Sequence, residues 1–285
     1  MFRQLSTLQK ASIYYLIAFA LALLVAIFGE TLGERSTILT MFTPLTAVLL
    51  MLLVVTRDGY RRAGWFVLGL HRTGGWESWV LALLGPLLVL GCTYTIVWSS
   101  GLGRLDLSNF DGPVDLLLGL IIGSLFALAE EIGWRGYLLP HLLPLGRTRA
   151  MLATGFLHGL YHLPLMLFTP FYHSDGNRLL VGSLFLLTLT LAGVVYGYLR
   201  LTSGSVWPVA AAHGAFNTFW WQFTSVTVAT SSPLLLEYLA GESGLLTLAG
   251  LLIMAGWLLY RLDRSEAPLP DETVGTGRIT SAAVG

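Results

Sequence analysis

The residues best suited to chemistry in this sequence fall in three short stretches that are otherwise apolar. They are Glu130, Glu131, Arg135, His158, His162, His213 and Asn217. Ionisable side chains within membrane-spanning helices cost free energy, and they are usually retained there for function. We therefore expect these side chains to converge in the interior of one helical bundle.

Each stretch contains two residues four positions apart, the spacing that places side chains on one face of a helix. Glu131 and Arg135 are predicted to form an ion pair that supports the site, although a purely structural pair has the same spacing. Glu130 points about 100° away and remains available as a general base. His213 and Asn217 share a face and can jointly donate hydrogen bonds to an oxyanion.

The two histidines of the second stretch, His158 and His162, also share a helix face. A histidine in a membrane helix can simply bridge helices by hydrogen bonds, and for His158 this packing role is the favoured interpretation. The pair could instead bind zinc, with Glu130 or His213 as a third ligand. The HExxH arrangement is absent, and we expect no metal or other cofactor.

The composition indicates a membrane protein. Of the 285 residues, 55% are hydrophobic and 11% are charged, whereas soluble domains carry about 25% charged residues. The mean hydropathy is +0.72. These values exclude a disordered chain, a nucleic-acid binder and an ordinary water-soluble enzyme. The single cysteine, Cys92, excludes disulfides and cysteine-based zinc sites within one chain.

Apolar runs of about 20 residues, enough to cross a bilayer, predict an all-α polytopic membrane bundle of about eight helices. The predicted spans are 11–29, 37–55, 78–99, 114–129, 151–168, 179–199, 206–223 and 244–260. Residues 1–262 are predicted to form a single membrane-embedded domain. The polar tail, 263–285, is expected to be disordered and cytoplasmic.

Charges at the span ends and in the loops predict the orientation of the bundle. Of the 16 basic residues, 13 fall on one side of the eight-span arrangement, and Arg35, Arg104 and Arg178 fall on the other. Basic residues favour the cytoplasmic side. We therefore predict an integral membrane protein with both termini in the cytoplasm, and the Arg-rich usage suggests a prokaryotic plasma membrane.

The three stretches, in this order, resemble the motifs of the CAAX-protease and bacteriocin-processing family of intramembrane endopeptidases. The flanks agree, and the resemblance covers residues 114–219. The flanking segments are Trp134-Arg135-Gly136-Tyr137-Leu138, Tyr161-His162-Leu163-Pro164 and Ser203-Gly204-Ser205-Val206-Trp207-Pro208. One position departs from the family, because the second motif often reads Phe-x-x-x-His and His158 stands in place of the phenylalanine.

The resemblance implies a role for each matched residue. Glu130 and His162 would activate water for hydrolysis of a peptide bond. His213 and Asn217 would stabilise the tetrahedral oxyanion. Residues expected to support the site are Glu131, Arg135 and His158. The partners would be membrane lipids and a membrane-associated or lipid-linked peptide or protein substrate, with no nucleic acid.

A proton-coupled transporter is the alternative from another class, with Glu130, His162 and His213 as a relay. Two features count against it: the sequence has no detectable halves with matching broken helices, and the ionisable residues cluster towards one side. A zinc-dependent version of the same protease is a further alternative. Peptide cleavage by purified protein in detergent separates an enzyme from a transporter, because only the transporter needs sealed vesicles.

The predicted topology can be tested by cysteine labelling in a Cys92→Ala background. The Asp175→Cys variant, in a loop predicted to face outwards, should react with a membrane-impermeant maleimide in intact cells. The Arg62→Cys variant, in a predicted cytoplasmic loop, is the matched control and should react only after lysis. Labelling of the Asp175→Cys variant only after lysis would contradict the eight-span arrangement.

Overall fold

Eight long helices form the bundle in the computed structural model, which describes residues 5–170, 172, 176–230 and 232–264. The helices are α1 (Thr7–Ile27), α2 (Arg35–Leu50), α3 (Trp76–Ser99), α4 (Pro113–Glu131), α5 (Arg147–Phe168), α6 (Arg178–Ser203), α7 (Trp207–Ser225) and α8 (Leu245–Arg264). Each overlaps one predicted span, so the all-α fold class is confirmed. Because α8 ends at Arg264, Asp263 and Arg264 are helical, and the rest of the predicted tail lies outside the described residues.

Shorter elements connect these helices. The α-helical segments are Gly29–Leu32, Arg62–Phe66, Leu139–Leu142 and Pro233–Ala240, the π-helical segments are Met51–Val55 and Ile132–Leu138, and the 3-10 turns are Asp58–Tyr60, Leu107–Asn109 and Leu143–Leu145. Two strands, β1 (Gly103–Leu105) and β2 (Thr227–Ala229), pair antiparallel with Gly103 opposite Ala229. The strands join the loop after α3 to the loop after α7.

Seven helical segments in the described ranges are long and apolar enough to cross a membrane. They contain α1 to α6 and α8. The remaining predicted span corresponds to α7, which has 19 residues but carries the polar side chains His213, Asn217 and Gln222. The predicted number of about eight therefore depends on counting α7, whose polar residues lower its hydropathy.

Contacts between loops show which loops lie at the same end of the bundle. At one end, Lys10 Nζ lies 2.8 Å from Asp58 Oδ2, and the Arg200 guanidinium donates to the Val67 carbonyl at 2.8 Å. At the opposite end, β1 pairs with β2. Loops that the charge pattern assigns to one side are therefore neighbours in space. Which end faces the cytoplasm stays a prediction.

The helix that carries Glu130 continues beyond residue 129, where the predicted span ended. It runs directly into the π-helical segment Ile132–Leu138, all of which is buried. Two glycines permit this burial. A Cβ on Gly133 would lie 2.6 Å from Pro44 Cβ, and one on Gly136 would lie 3.2 Å from the Leu68 carbonyl oxygen. The apolar span was predicted to end at residue 129, and the spacing of Glu131 and Arg135 already predicted a helix beyond it. Tertiary packing covers the arginine and the glycines that interrupt the apolar run.

Helices α5 and α6 cross in close contact at two glycines. A Cβ added to Gly193 would lie 2.6 Å from the Gly155 Cα and 2.8 Å from the Met151 carbonyl oxygen. Real Cβ atoms do not approach other heavy atoms so closely, so only glycine allows this separation. Small residues that let helix backbones approach are typical of membrane helix packing. The crossing sets the position of α5, which carries both histidines of the second motif.

The Gly193→Ala variant should therefore be less stable by about 1–3 kcal/mol, because the added methyl group forces the two backbones apart. Gly91→Ala is the matched control. Its new Cβ would have no heavy atom within 4 Å, so the change should be neutral or stabilise the helix by up to about 1 kcal/mol. Thermal unfolding in detergent measures both. Equal melting temperatures for the two variants would contradict the close crossing.

Candidate active site

A buried ion pair lies at the centre of the polar cluster. One Nη of Arg135 donates to both oxygens of Glu131, at 2.9 and 3.0 Å, and both side chains are fully buried. The pair expected from the four-residue spacing is thus present. Arg135 also lies over the Tyr196 ring, 4.9 Å from its centroid, a cation–π contact that offsets part of the cost of burying the guanidinium.

Glu131 also holds a histidine from a different helix. His213 Nδ1 lies 2.9 Å from Glu131 Oε1 and donates to it, and the imidazole stacks on Tyr196 with a centroid separation of 5.5 Å. The other ring nitrogen, Nε2, has no hydrogen-bond partner in the part of the chain that the structure describes. A carboxylate on Nδ1 fixes the orientation of the ring, so this contact prepares His213 Nε2 for a ligand.

The second carboxylate, Glu130, binds the residue at which the sequence departs from the family pattern. His158 Nε2 lies 2.9 Å from Glu130 Oε2, and both side chains are almost completely buried. His158 Nδ1 lies 3.3 Å from the same Arg135 nitrogen that binds Glu131. The ring stacks on Trp134, with centroids 4.7 Å apart. His158 therefore connects Arg135 to Glu130.

His162 lies one helical turn beyond His158, and the two ring centroids are 5.0 Å apart. His162 Nδ1 donates to the His158 carbonyl oxygen at 3.1 Å, which places the lone pair of the neutral ring on Nε2. Phe185 and Tyr172 pack around the ring, with centroids at 5.5 and 5.7 Å. Aromatic packing and a backbone hydrogen bond therefore restrict the imidazole beside the Glu130–His158 pair.

Asn217 is the predicted site residue least connected to the others. It lies one turn beyond His213 on α7, is half-buried, and its side chain has no hydrogen-bond partner among the described residues. His213 is also partly exposed, with 13% of its side chain accessible. The two candidate oxyanion donors thus share the accessible edge of the cluster, while both glutamates are buried.

Three of the clustered residues have the right chemistry for a metal. Ligand atoms of Glu130, His158 and His162 all lie within 4.8 Å of one another. Two histidines and one glutamate also form the ligand set of some catalytic zinc sites. Ligation through His158 Nε2 requires that this nitrogen carry no proton, so the hydrogen bonds of His158 determine whether the set is suited to zinc.

Two tyrosines complete the cluster and were not identified from the sequence. Tyr161 contacts the edges of Trp134 and His162, and its hydroxyl hydrogen-bonds the Thr40 carbonyl and the Thr43 hydroxyl of α2. Tyr196 lies between Arg135 and His213. A tyrosine in the middle of an apolar span needs a polar partner for its hydroxyl, and this was the available signal for Tyr161.

Glu131→Gln should destabilise the protein by about 3–5 kcal/mol, because Arg135 and His213 would lose the buried anion between them. Glu130→Gln is the matched control in the same helical turn. Its amide oxygen can still accept from His158, so its loss should be about 1 kcal/mol. Denaturant or thermal unfolding in detergent gives both values. A Glu131→Gln variant as stable as the control would contradict the central role of the ion pair.

Comparison with known proteins gives one family. Residues 112–219 match the family model for type II CAAX prenyl endopeptidases of the Rce1-like kind, and this segment contains all seven candidate residues. A search of curated proteins finds no match. The family acts on peptides or proteins in membranes, so the transporter alternative is not retained. With its seven apolar segments, this integral membrane protein contains a segment that is similar to the Rce1-like type II CAAX prenyl endopeptidases, and the match indicates a peptide hydrolase.

Proposed function

We propose that the protein is an intramembrane endopeptidase in which Glu130 and His162 activate water. His213 and Asn217 stabilise the oxyanion, while Glu131 and Arg135 support the site. The observation that carries the proposal is the convergence of the Glu130 carboxylate with His158 and His162 inside the family-matched segment. A buried carboxylate beside imidazoles is a suitable acceptor for a proton from water.

Hydrolysis begins when the water oxygen attacks the carbonyl carbon of the scissile peptide bond. Glu130 accepts the water proton as the new C–O bond forms, and His162 Nε2 orients the water by hydrogen bonding. The π electrons of the carbonyl move to its oxygen, which becomes the oxyanion of a tetrahedral intermediate. The protonated carboxyl of Glu130 then returns its proton to the nitrogen of the leaving amine as the C–N bond breaks.

The oxyanion develops opposite the donors of α7. Asn217 donates from its side-chain amide, and His213 donates from Nε2 in the protonated form of its ring. Glu131 accepts from Nδ1 of that ring at 2.9 Å, so the imidazolium formed there is neutralised by a fixed anion. Preorganised donors of this kind contribute about 10²–10³-fold each to the rate.

The substrate in this proposal is a peptide or protein held at the membrane, including one that carries a covalent lipid. Both termini of the enzyme face the cytoplasm of a prokaryotic cell, in accordance with the distribution of basic residues. In that orientation the substrate segment enters from the cytoplasmic side or laterally from the bilayer. A metal ion is not required by the residue roles proposed here.

Glu130→Gln should lower peptide hydrolysis by about 10²–10⁴-fold while leaving the protein folded, because the amide keeps the shape and loses the proton acceptor. Peptide cleavage by purified protein in detergent measures turnover. The exposed carboxylate Glu77 supplies the control, and Glu77→Gln should cleave at the wild-type rate. Wild-type turnover by the Glu130→Gln variant would contradict the role of Glu130. Comparison of membrane peptidomes between wild type and Glu130→Gln would identify the substrate.

A further inference from the structure

His158 occupies the position of the phenylalanine in the related motif, yet its environment is not that of a packing residue. The side chain is buried, and both of its ring nitrogens have polar neighbours. Nδ1 lies 3.3 Å from an Arg135 Nη and Nε2 lies 2.9 Å from Glu130 Oε2. A phenylalanine could reproduce the stacking on Trp134 but neither of these contacts.

The chemistry of arginine determines where the His158 proton lies. A guanidinium carries only N–H donors and accepts no hydrogen bond, so His158 Nδ1 must be the acceptor in its contact with Arg135. In the neutral ring the proton then lies on Nε2 and is donated to the Glu130 carboxylate. The result is a directed chain of hydrogen bonds from Arg135 through His158 to Glu130.

This tautomer is the opposite of the one that a zinc site needs. Zinc binds a histidine through a deprotonated nitrogen, and the second nitrogen then donates its proton to an acceptor. Here a metal on His158 Nε2 would move the proton to Nδ1, opposite the N–H group of Arg135. Two donors would then face each other in a buried site, which costs free energy. His162 would not incur this cost, because its Nδ1 donates to the His158 carbonyl oxygen.

We propose that His158 is a positioning residue that holds the Glu130 carboxylate for proton transfer, and that it is not a metal ligand. The proposal rests on the proposed function of Glu130. By donating to Oε2, His158 restricts rotation of the carboxylate and links it to the same buried cation that holds Glu131 and, through Glu131, His213. Arg135 thereby fixes the positions of both the general base and the oxyanion donor.

Two substitutions separate positioning from the alternatives. His158→Gln places an amide N–H close to the position of Nε2 and can still donate to Glu130, whereas His158→Phe fills the ring space without a donor. The Phe variant should lose about 10–100-fold in kcat with little change in KM, the effect of losing a hydrogen bond to a charged group. The Gln variant should recover most of that loss, and its pH–rate profile should follow the wild type more closely than that of the Phe variant.

Other results would overturn the proposal. If the Phe variant is as active as the wild type and the Gln variant is impaired, His158 serves packing alone. If both variants are inactive and the active wild type holds about one equivalent of zinc that both lose, His158 is a metal ligand. A melting temperature for each variant in detergent separates failure to fold from loss of function.

The tautomer itself can be read without an activity assay. Nitrogen-15 NMR of histidine-labelled protein in detergent, with the His158 signals assigned by their loss in His158→Gln, should show the proton on Nε2. A proton on Nδ1 would overturn the inference even if the enzyme is active. Absence of peptide cleavage by the wild type, with the proton found on Nε2, would instead contradict the proposed function and leave the hydrogen-bonded chain intact.

Discussion

The structure depends on one buried cation. Arg135 is fully shielded from solvent, and an isolated charge in such surroundings would be strongly destabilising. Three side chains contact the guanidinium: Glu131 from the preceding turn, the imidazole of His158 from α5 and the ring of Tyr196 from α6. Its Nε and Nη2 have no hydrogen-bond partner among the described residues. Because these partners come from different helices, their contacts with the arginine also bring those helices together.

The same requirement organises the two halves of the candidate site. Glu131 connects Arg135 directly to His213 on α7, and His158 connects it to Glu130. Hydrogen bonds in a chain polarise and strengthen one another. The hydrogen bond that Arg135 donates to His158 therefore strengthens the one that His158 donates to Glu130. The proposed base and the proposed oxyanion donor therefore share a single support.

Close helix approach makes these short polar contacts possible. On α7, a Cβ on Gly214 would lie 2.5 Å from Ser124 Cα of α4, and this glycine immediately follows His213. The Gly155–Gly193 crossing has the same effect for α5 and α6. Without these glycines the helix axes would separate, and hydrogen bonds of about 2.9 Å between side chains of different helices would lengthen beyond a useful range.

The sequence by itself determined the membrane class, the positions of eight helices, the ion pair of Glu131 with Arg135 and the membership of the seven residues in one family-like set. These features depend on composition and on the local period of the helix, which the order of residues records directly. The predicted apolar span ended at residue 129, since local apolarity does not show that Gly133 and Gly136 pack against α2 and the Leu68 backbone.

Only the tertiary structure decided which side chain meets which across helices. The spacing left Glu130 available and gave His158 a role in bridging helices by hydrogen bonds, but it named a partner for neither; the fold brings the two within 2.9 Å of each other. It likewise brought Glu131 to His213 and enclosed Arg135 with Tyr196. Such pairings depend on the distance and angle at which helices cross. Those are set by contacts between residues far apart in the chain, and no periodicity within a single helix contains them.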